Sequence, residues 1–517
     1  LSVLLCEKND RTGGLVNSFD HEGFVFDGGI RAIENSGIVL PMLRQLGIEV
    51  DFLPNKVSIG IGADMIDVVS KDSVNAYEEL LIRYFPQCRQ DIRRIIHEIE
   101  QVMAYMDVQY GIDNPLFLDL QNNLNYVLRE ILPWALKYVN TLPKIKKFYA
   151  PVNQYLSRFS NDRSLLDIIG QHFFTQTPAF FALSYFSLFL DYQYPRGGTG
   201  AFPAALERFV VQQGGEVRIN TMIDWVDPAT KQAKDSSGNL YRFHRLVWAA
   251  DQKTLYQIID LSKVTDRKIL KAIESRKKLI SEQTGGDSVF SLYVTSTLEP
   301  KYFSEISGPH FFYTPSPNGL SNINLHEIMT DDPTTGRAFV DEQTVIMDWL
   351  SRFLDLTTYE ISIPVLRDGS LAPNGKTGLI ISTLFDYALT QHIQSLGWYD
   401  KFKQIMSDKI LEVLDSHIYP GIKSATLDSF SSSPLTLQRY SGNSDGAITG
   451  WAFTNRVMPA VNKLPRVASS VLTPIPDTYQ AGQWTFSPSG LPISILTGKL
   501  AVDRILKDLK RARSTLS

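Results

Sequence analysis

The sequence is short of most residues and patterns that would label it at once. Of its 517 residues only two are cysteines, Cys6 and Cys88, too few for a disulfide framework or a Cys/His zinc cluster. So little cysteine points to a reducing compartment, most simply the cytoplasm. Charge of one sign is not in excess: 51 Lys and Arg stand against 55 Asp and Glu, a net −4. No domain is strongly basic, so nucleic acid is not an expected partner. No apolar run reaches the ~18 residues of a membrane-spanning helix. The richest stretch, 180–190, is shorter and dense in aromatics. The first residues show neither a basic segment nor a small-residue cleavage site, so no signal peptide is expected. Histidines stand at 21, 97, 172, 244, 310, 326, 392 and 417, with no i, i+4 pair, so no metal site is expected. A GxSxG elbow is missing, which removes the usual Ser-His-Asp hydrolase. No GxGxxG loop occurs anywhere in the chain; Gly197-Gly198-Thr199-Gly200 does not fit it.

What remains is ordinary globular composition, with 44% hydrophobic, 11% aromatic and 21% charged residues. The length exceeds what one hydrophobic core serves, so two or three domains are expected. The chain opens on Ser2-Val3-Leu4-Leu5-Cys6, the pattern of a strand buried on both faces in a parallel sheet. A start in mid-strand leads to the expectation of a chain truncated upstream or begun at an unusual codon.

Glu7 follows that strand directly, and Gly13-Gly14 comes six residues later. An acid at the carboxyl end of the second strand of a dinucleotide-binding fold accepts hydrogen bonds from ribose hydroxyls, about 20 residues after the glycine-rich loop. Paired glycines let backbone approach a phosphate or flavin ring with no Cβ in the way. The strand Phe24-Val25-Phe26-Asp27 then ends in a second pair, Gly28-Gly29.

With Arg11-Thr12 before the first pair, these segments resemble the start of FAD-dependent amine-oxidase-like flavoproteins, just past their glycine-rich loop. Three later segments resemble one branch, the phytoene desaturase and carotenoid isomerase family: Tyr194-Pro195-Arg196-Gly197-Gly198-Thr199-Gly200, Gly442-Asn443-Ser444-Asp445-Gly446 through Trp451, and Tyr479-Gln480-Ala481-Gly482-Gln483-Trp484. The resemblance spans nearly the whole chain in order. It implies an α/β fold, with a Rossmann-like FAD-binding domain of the amine-oxidase type over 1–60, 191–285 and 441–517. A mixed α+β substrate domain would occupy 61–190 and 286–440. FAD is the implied cofactor, and a long apolar polyene or isoprenoid lipid the implied substrate, through desaturation, saturation or isomerisation. The family is also peripheral to membranes, so contact with the inner face of a membrane is an implied partner surface.

The cofactor-binding residues expected on these grounds are Glu7, Arg11, Gly13, Gly14, Gly28, Gly29, Ile223, Gly482, Gln483 and Leu491. Ile223 would lie beside the adenine, offering backbone hydrogen bonds; from its residue type alone it is equally a core isoleucine. Arg11 would hold a pyrophosphate or flavin edge, with a solvated surface arginine as the equal alternative. Many relatives carry an acid where this chain has Gln483; an amide can still donate and accept there. Leu491 opens a helix whose N-terminus, after Gly490, would face a flavin carbonyl or a developing N1 anion. No histidine is given a role and no catalytic residue is assigned, since a flavin carries the redox chemistry itself.

Apolar spacing predicts helices over 37–46, 77–85, 88–105, 116–139, 201–213, 398–414 and 491–507. Strands are expected over 216–223, 246–251, 288–294, 358–365 and 379–384. The aromatic run 173–194 is read as the wall of a tunnel, with plain core as the alternative. The 144–149 segment, rich in lysine and aromatics, suits an anionic membrane surface or a solvated loop. Two rival functions stay open: an amine-oxidase-like enzyme for a small polar substrate, and a non-catalytic chain that no longer binds FAD. Without a first strand, this chain is expected to bind FAD poorly and to expose an apolar sheet edge. Oligomeric state is not addressed by any feature.

Overall fold

A computed structural model describes residues 2–118, 124–330 and 338–514. The chain divides into two compact units: Leu1–Leu15, Phe202–Asp287 and Thr436–Ser517, and Val16–Ala201 with Ser288–Leu435.

The first unit is α/β. Strand Leu4–Cys6 pairs in parallel with Glu216–Arg218. Leu246–Trp248 pairs in parallel with Thr478–Gln480. A three-stranded antiparallel meander, Ile223–Asp227, Gln232–Asp235 and Leu240–Arg242, lies between them in sequence. Both parallel ladders stay two-stranded among the described residues. Their outer faces are partly bare: Val3 is 52% exposed, and Leu4, Leu5 and Val247 are each 39% exposed. The core forms on Trp248, Leu255, Tyr256, Ile273, Trp451 and Trp484. Asp251 and Asp266 cap the helices Gln252–Ile258 and Arg267–Ser281 by accepting backbone N–H groups of their first turns, as short acids do at helix starts.

The second unit is built on a seven-stranded sheet. Its order is Thr426–Ser432, Ser288–Ser296, Thr377–Phe385, Tyr359–Ser362, His310–Thr314, Val57–Ile61 and Asp64–Val68. Every pairing is antiparallel except that of His310–Thr314 with Val57–Ile61. Side chains alternate across such a strand. Phe311 and Tyr313 enter one core with the helices Gln343–Leu356 and Tyr399–His417. Phe312, between them, enters a helical core formed by Ser73–Tyr84, Arg89–Tyr110 and Tyr185–Asp191.

Local sequence sets many of these boundaries. The helix expected over 37–46 is Val39–Leu46, stopped by Gly47 at φ +67° in the left-handed region, where glycine carries no Cβ penalty. The helix expected over 116–139 falls partly outside the described residues, and its described end is Leu132–Ile145. Residues 16–60 and 191–201, grouped by sequence with the nucleotide-binding part, pack in the second unit. The reason is aromatic: Phe26 lies edge-on to Tyr293 at 5.5 Å and to Phe430 at 5.9 Å, on the large sheet.

Candidate functional site

In the first unit the expected nucleotide residues gather at strand ends. Glu7 continues the ladder, its N–H donating to the Arg218 carbonyl at 2.8 Å. Its carboxylate Oε1 accepts the Asn9 N–H at 2.9 Å. The other oxygen takes no hydrogen bond from a described residue and remains an acceptor for a diol. Thr12 Oγ1 donates to Glu207 Oε2 at 2.7 Å, tying the turn to the helix Ala201–Gln212. Gly13 and Gly14 follow at φ +111° and +59°, and the space a Cβ would occupy at Gly14 is open. Arg11 pairs with its neighbour Asp10 at 3.1 Å, both well exposed. Ile223 opens its strand at a bulge and packs half-buried against the Trp248 core.

At the other ladder Gly482 sits at φ +92° and donates its N–H to Thr497 Oγ1 at 3.0 Å. Thr497 belongs to the helix Leu491–Ser514, so this bond seats the Gly482-Gln483 turn over the helix start. The Gln483 carbonyl presses on Gly450: a Cβ there would stand 2.4 Å from that oxygen. Gly28 and Gly29 lie in the second unit. A Cβ on Gly28 would meet Asn17 Oδ1 at 2.2 Å, and the Gly29 carbonyl accepts from Arg31 Nη1 at 2.7 Å.

The donor and acceptor set of the first unit fits two parts of FAD. Glu7 offers a free carboxylate oxygen to a ribose diol, and the helix start at Leu491, under a glycine turn, suits a flavin carbonyl. The 517 residues hold no GxGxxG loop for the pyrophosphate.

The second unit holds a small apolar cavity of about 40 Å³, lined by Ile59, Ile99, Ile168, Phe186, Phe189 and Phe312 among others. Phe173, Ala182, Leu183 and Tyr185 from the aromatic run are part of its wall. His172 is the one imidazole there. Its ring lies 3.9 Å from Phe173 and 5.6 Å from Phe312, centre to centre. Desolvation drives its pKa down to about 4, so it is neutral at pH 7.

On the same sheet face as Phe312 stands a chain of polar contacts. Arg367 Nε donates to Asn55 Oδ1. Asn55 Nδ2 and His310 Nδ1 are 3.3 Å apart, and His310 Nε2 and Glu360 Oε1 2.8 Å. With the amide donating to Nδ1, the imidazole proton sits on Nε2 and points at Glu360. Burial lowers the His310 pKa, which keeps that ring neutral. Tyr192 stacks on His310 at 5.6 Å and meets Phe189 of the cavity wall at 5.8 Å. Arg31 donates to Ser382 Oγ at 3.0 Å, and Arg367 lies 4.5 Å over the Tyr194 ring. Neither arginine has a carboxylate within 4.0 Å among the described residues. Glu34, opposite Tyr192 in the ladder, has its pKa pushed up to about 7 by desolvation and by Asp191.

Sequence reasoning assigned no role to Glu34, Arg31, His172, His310, Glu360 or Arg367. One signal was available for Arg31, a cation placed just after Gly28-Gly29 in an otherwise apolar strand region. The others are single polar residues whose key neighbours come from other elements, such as Glu360 for His310, 50 residues on, and Asn55 for Arg367, 312 residues away.

The model of the family described as flavin containing amine oxidoreductase matches residues 1–278. The chain is 21% identical to the chloroplastic prolycopene isomerase of Daucus carota, over 98% of this chain and 76% of that protein. It is 22% identical to the 4,4'-diapophytoene desaturase of Staphylococcus aureus, over 61% of this chain and 56% of that one. Among solved structures an engineered putrescine oxidase shares the fold, with a TM-score of 0.56 at 13% identity, covering 98% of this chain and 94% of that chain. The chain therefore belongs to the flavin containing amine oxidoreductase family, as an FAD-dependent oxidoreductase.

Proposed function

We propose that this oxidoreductase acts on a long apolar polyene or isoprenoid lipid, by desaturation, saturation or isomerisation. The observation that carries the reading is the second unit's cavity, walled almost wholly by aliphatic and aromatic side chains. FAD, when bound, supplies the two-electron chemistry. The protein's own part is to hold FAD at Glu7, the Gly13-Gly14 turn, Gly482, Gln483 and Leu491, and to keep water from the apolar ligand. Neutral His172 adds one polar atom to the wall without adding charge. The carotenoid names of two relatives support the same substrate class. An ammonium substrate would suit Glu34 and Glu360, but Glu360 is engaged by His310 and the walls beyond are apolar.

Replacing Ala182, a buried cavity residue, by phenylalanine is expected to weaken binding of a fluorescent polyene at least tenfold, with flavin absorbance unchanged. Unaltered polyene affinity would remove the cavity from the reading.

The substrate class also implies a membrane surface. No described helix is long and apolar enough to cross a bilayer. Leu128, Leu132, Leu136 and Val139 instead form an exposed stripe, at 63%, 54%, 64% and 62%. Exposed Lys137, Lys144 and Lys146 flank it. An apolar stripe edged by cations suits the interface of an anionic bilayer, where each lysine adds about 1 kcal/mol. Changing Leu132 and Leu136 together to glutamate is expected to cut retention on phosphatidylglycerol vesicles about tenfold or more. Equal retention of both proteins would remove this surface.

A further inference from the structure

The helix Arg267–Ser281 of the first unit carries six cations against the single acid Glu274, in a chain whose net charge is −4. At ~100° per residue, Arg267, Lys268, Lys271 and Lys278 fall within about a 100° arc of its surface and span about 16 Å of its length. All four are exposed. The nearby Lys263 pairs with Asp227 at 2.9 Å, but none of the four meets a carboxylate within 4.0 Å among the described residues. Ala272, Glu274 and Ser275 stand between or beside them, also exposed, and no large apolar side chain is exposed on this helix. A helix that settles into a bilayer surface carries such side chains next to its cations. A bare cationic stripe instead suits a soluble anionic partner, which it steers on approach and holds in a salt-sensitive way.

The opposite face of the same helix leads to the flavin turn. Ile273 and Ile280 lie on that face, in the core that also holds Trp484, the residue after Gln483. Arg276 Nη2 donates to Gln252 Oε1 at 2.9 Å, and Gln252 Nε2 donates to Gln480 Oε1. Gln480 ends the strand Thr478–Gln480, two residues before Gly482. Two buried amides therefore join this helix to the turn seated over the start of Leu491–Ser514, and one helix diameter, about 10–12 Å, lies between the stripe and that core. FAD taken through net oxidation or reduction of a substrate needs a second electron partner. Nothing assigned so far receives one.

We propose that the cationic outer face of Arg267–Ser281 docks a small acidic electron-carrier protein that exchanges electrons with FAD. The inference goes beyond the polyene reading and rests only on the chain being an FAD-dependent oxidoreductase. In the reducing direction two reduced carriers dock in turn and each gives up one electron. FAD gains both electrons with two protons from water, and both carriers leave oxidised. The reverse transfer returns FAD to its oxidised form after a desaturation. A carrier that brings one electron at a time must leave between transfers, which a small, charge-steered contact permits.

The test combines Arg267→Gln, Lys268→Gln, Lys271→Gln and Lys278→Gln in one full-length variant. These positions are exposed, so the urea midpoint should not move. The probe is a plant-type ferredoxin, a small, acidic and strongly reducing iron–sulfur protein. Fluorescence anisotropy of labelled ferredoxin at about 20 mM NaCl should show binding at least tenfold weaker for the variant, with the gap closing at about 300 mM. With FAD in excess, the second-order rate of flavin reduction by prereduced ferredoxin should fall about tenfold at low salt, while photochemical reduction of the same flavin is unchanged. Equal binding and equal salt dependence in the two proteins would overturn the proposal. So would a variant that keeps ferredoxin binding but loses retention on phosphatidylglycerol vesicles, which would assign the stripe to lipid headgroups. Polyene affinity should be the same in both proteins, so failure here leaves the substrate reading in place.

Discussion

Asp27→Ala is expected to destabilise the second unit by about 4 kcal/mol, because it strands several buried donors at once. Asp27 is fully buried. Its Oδ1 accepts from Ser18 Oγ, Thr199 N and Thr199 Oγ1, each at 2.9 Å. Its Oδ2 accepts the Tyr194 hydroxyl at 2.8 Å. Tyr194 and Thr199 are themselves fully buried, so water reaches them poorly once the carboxylate is gone. Its main-chain carbonyl also accepts from Arg31 Nη1 at 2.7 Å, so a shift here disturbs the guanidinium beside Ser382. Urea unfolding should show a lower midpoint at unchanged slope. Asp27→Asn keeps one acceptor oxygen and should cost about half as much. A loss below about 1 kcal/mol for the alanine variant would mean that the network is not what holds the Tyr194–Thr199 turn.

Gly450→Ala should both weaken the fold and release flavin. Gly450 lies at φ +74°, where a side chain is strained by about 1–2 kcal/mol. Its new Cβ would stand 2.4 Å from the Gln483 carbonyl oxygen and 3.1 Å from its carbon. Backbone must move, and the backbone in question is the turn over the start of the helix Leu491–Ser514. The Gly450 carbonyl also accepts the Gly286 N–H at 2.6 Å, which leaves little room to retreat. We expect a stability loss of about 2–3 kcal/mol and at least a tenfold weaker hold on FAD, followed by the visible spectrum on dilution. Gly238→Ala is the matched control. It has φ +88°, but nothing lies within 4 Å of its Cβ position. It should cost about 1 kcal/mol and leave flavin retention unchanged. Loss of flavin in both variants would assign the effect to general instability rather than to the Gln483 turn.

Much of the local structure was legible in the residues. The left-handed stop at Gly47, the amphipathic helix Arg89–Tyr110 and the buried strand Ser288–Ser296 follow from propensity and periodicity, which act over a few residues. Glu7 and the Gly13-Gly14 turn were legible for the same reason, since strand, acid and glycine pair are contiguous. The aromatic run was legible as a cavity wall or as core, and side chains from it form both.

The grouping of elements was not legible. Strand Val57–Ile61 finds its parallel partner in His310–Thr314, and the hairpin strand Phe24–Asp27 packs on Tyr293 and Phe430. Those choices placed residues 16–60 in the second unit. The same long-range pairing made the polar half of the second unit's site. The sequence by itself determined where helices and strands begin, which glycines turn the chain, that its length suits two domains, and that its motifs resemble those of flavoproteins. Only the tertiary structure decided that His172 sits desolvated and neutral in the cavity wall and that His310 pairs with Glu360. A side chain's hydration and electrostatic neighbours are set by residues far away in sequence, and these, rather than its own identity, determine its proton affinity.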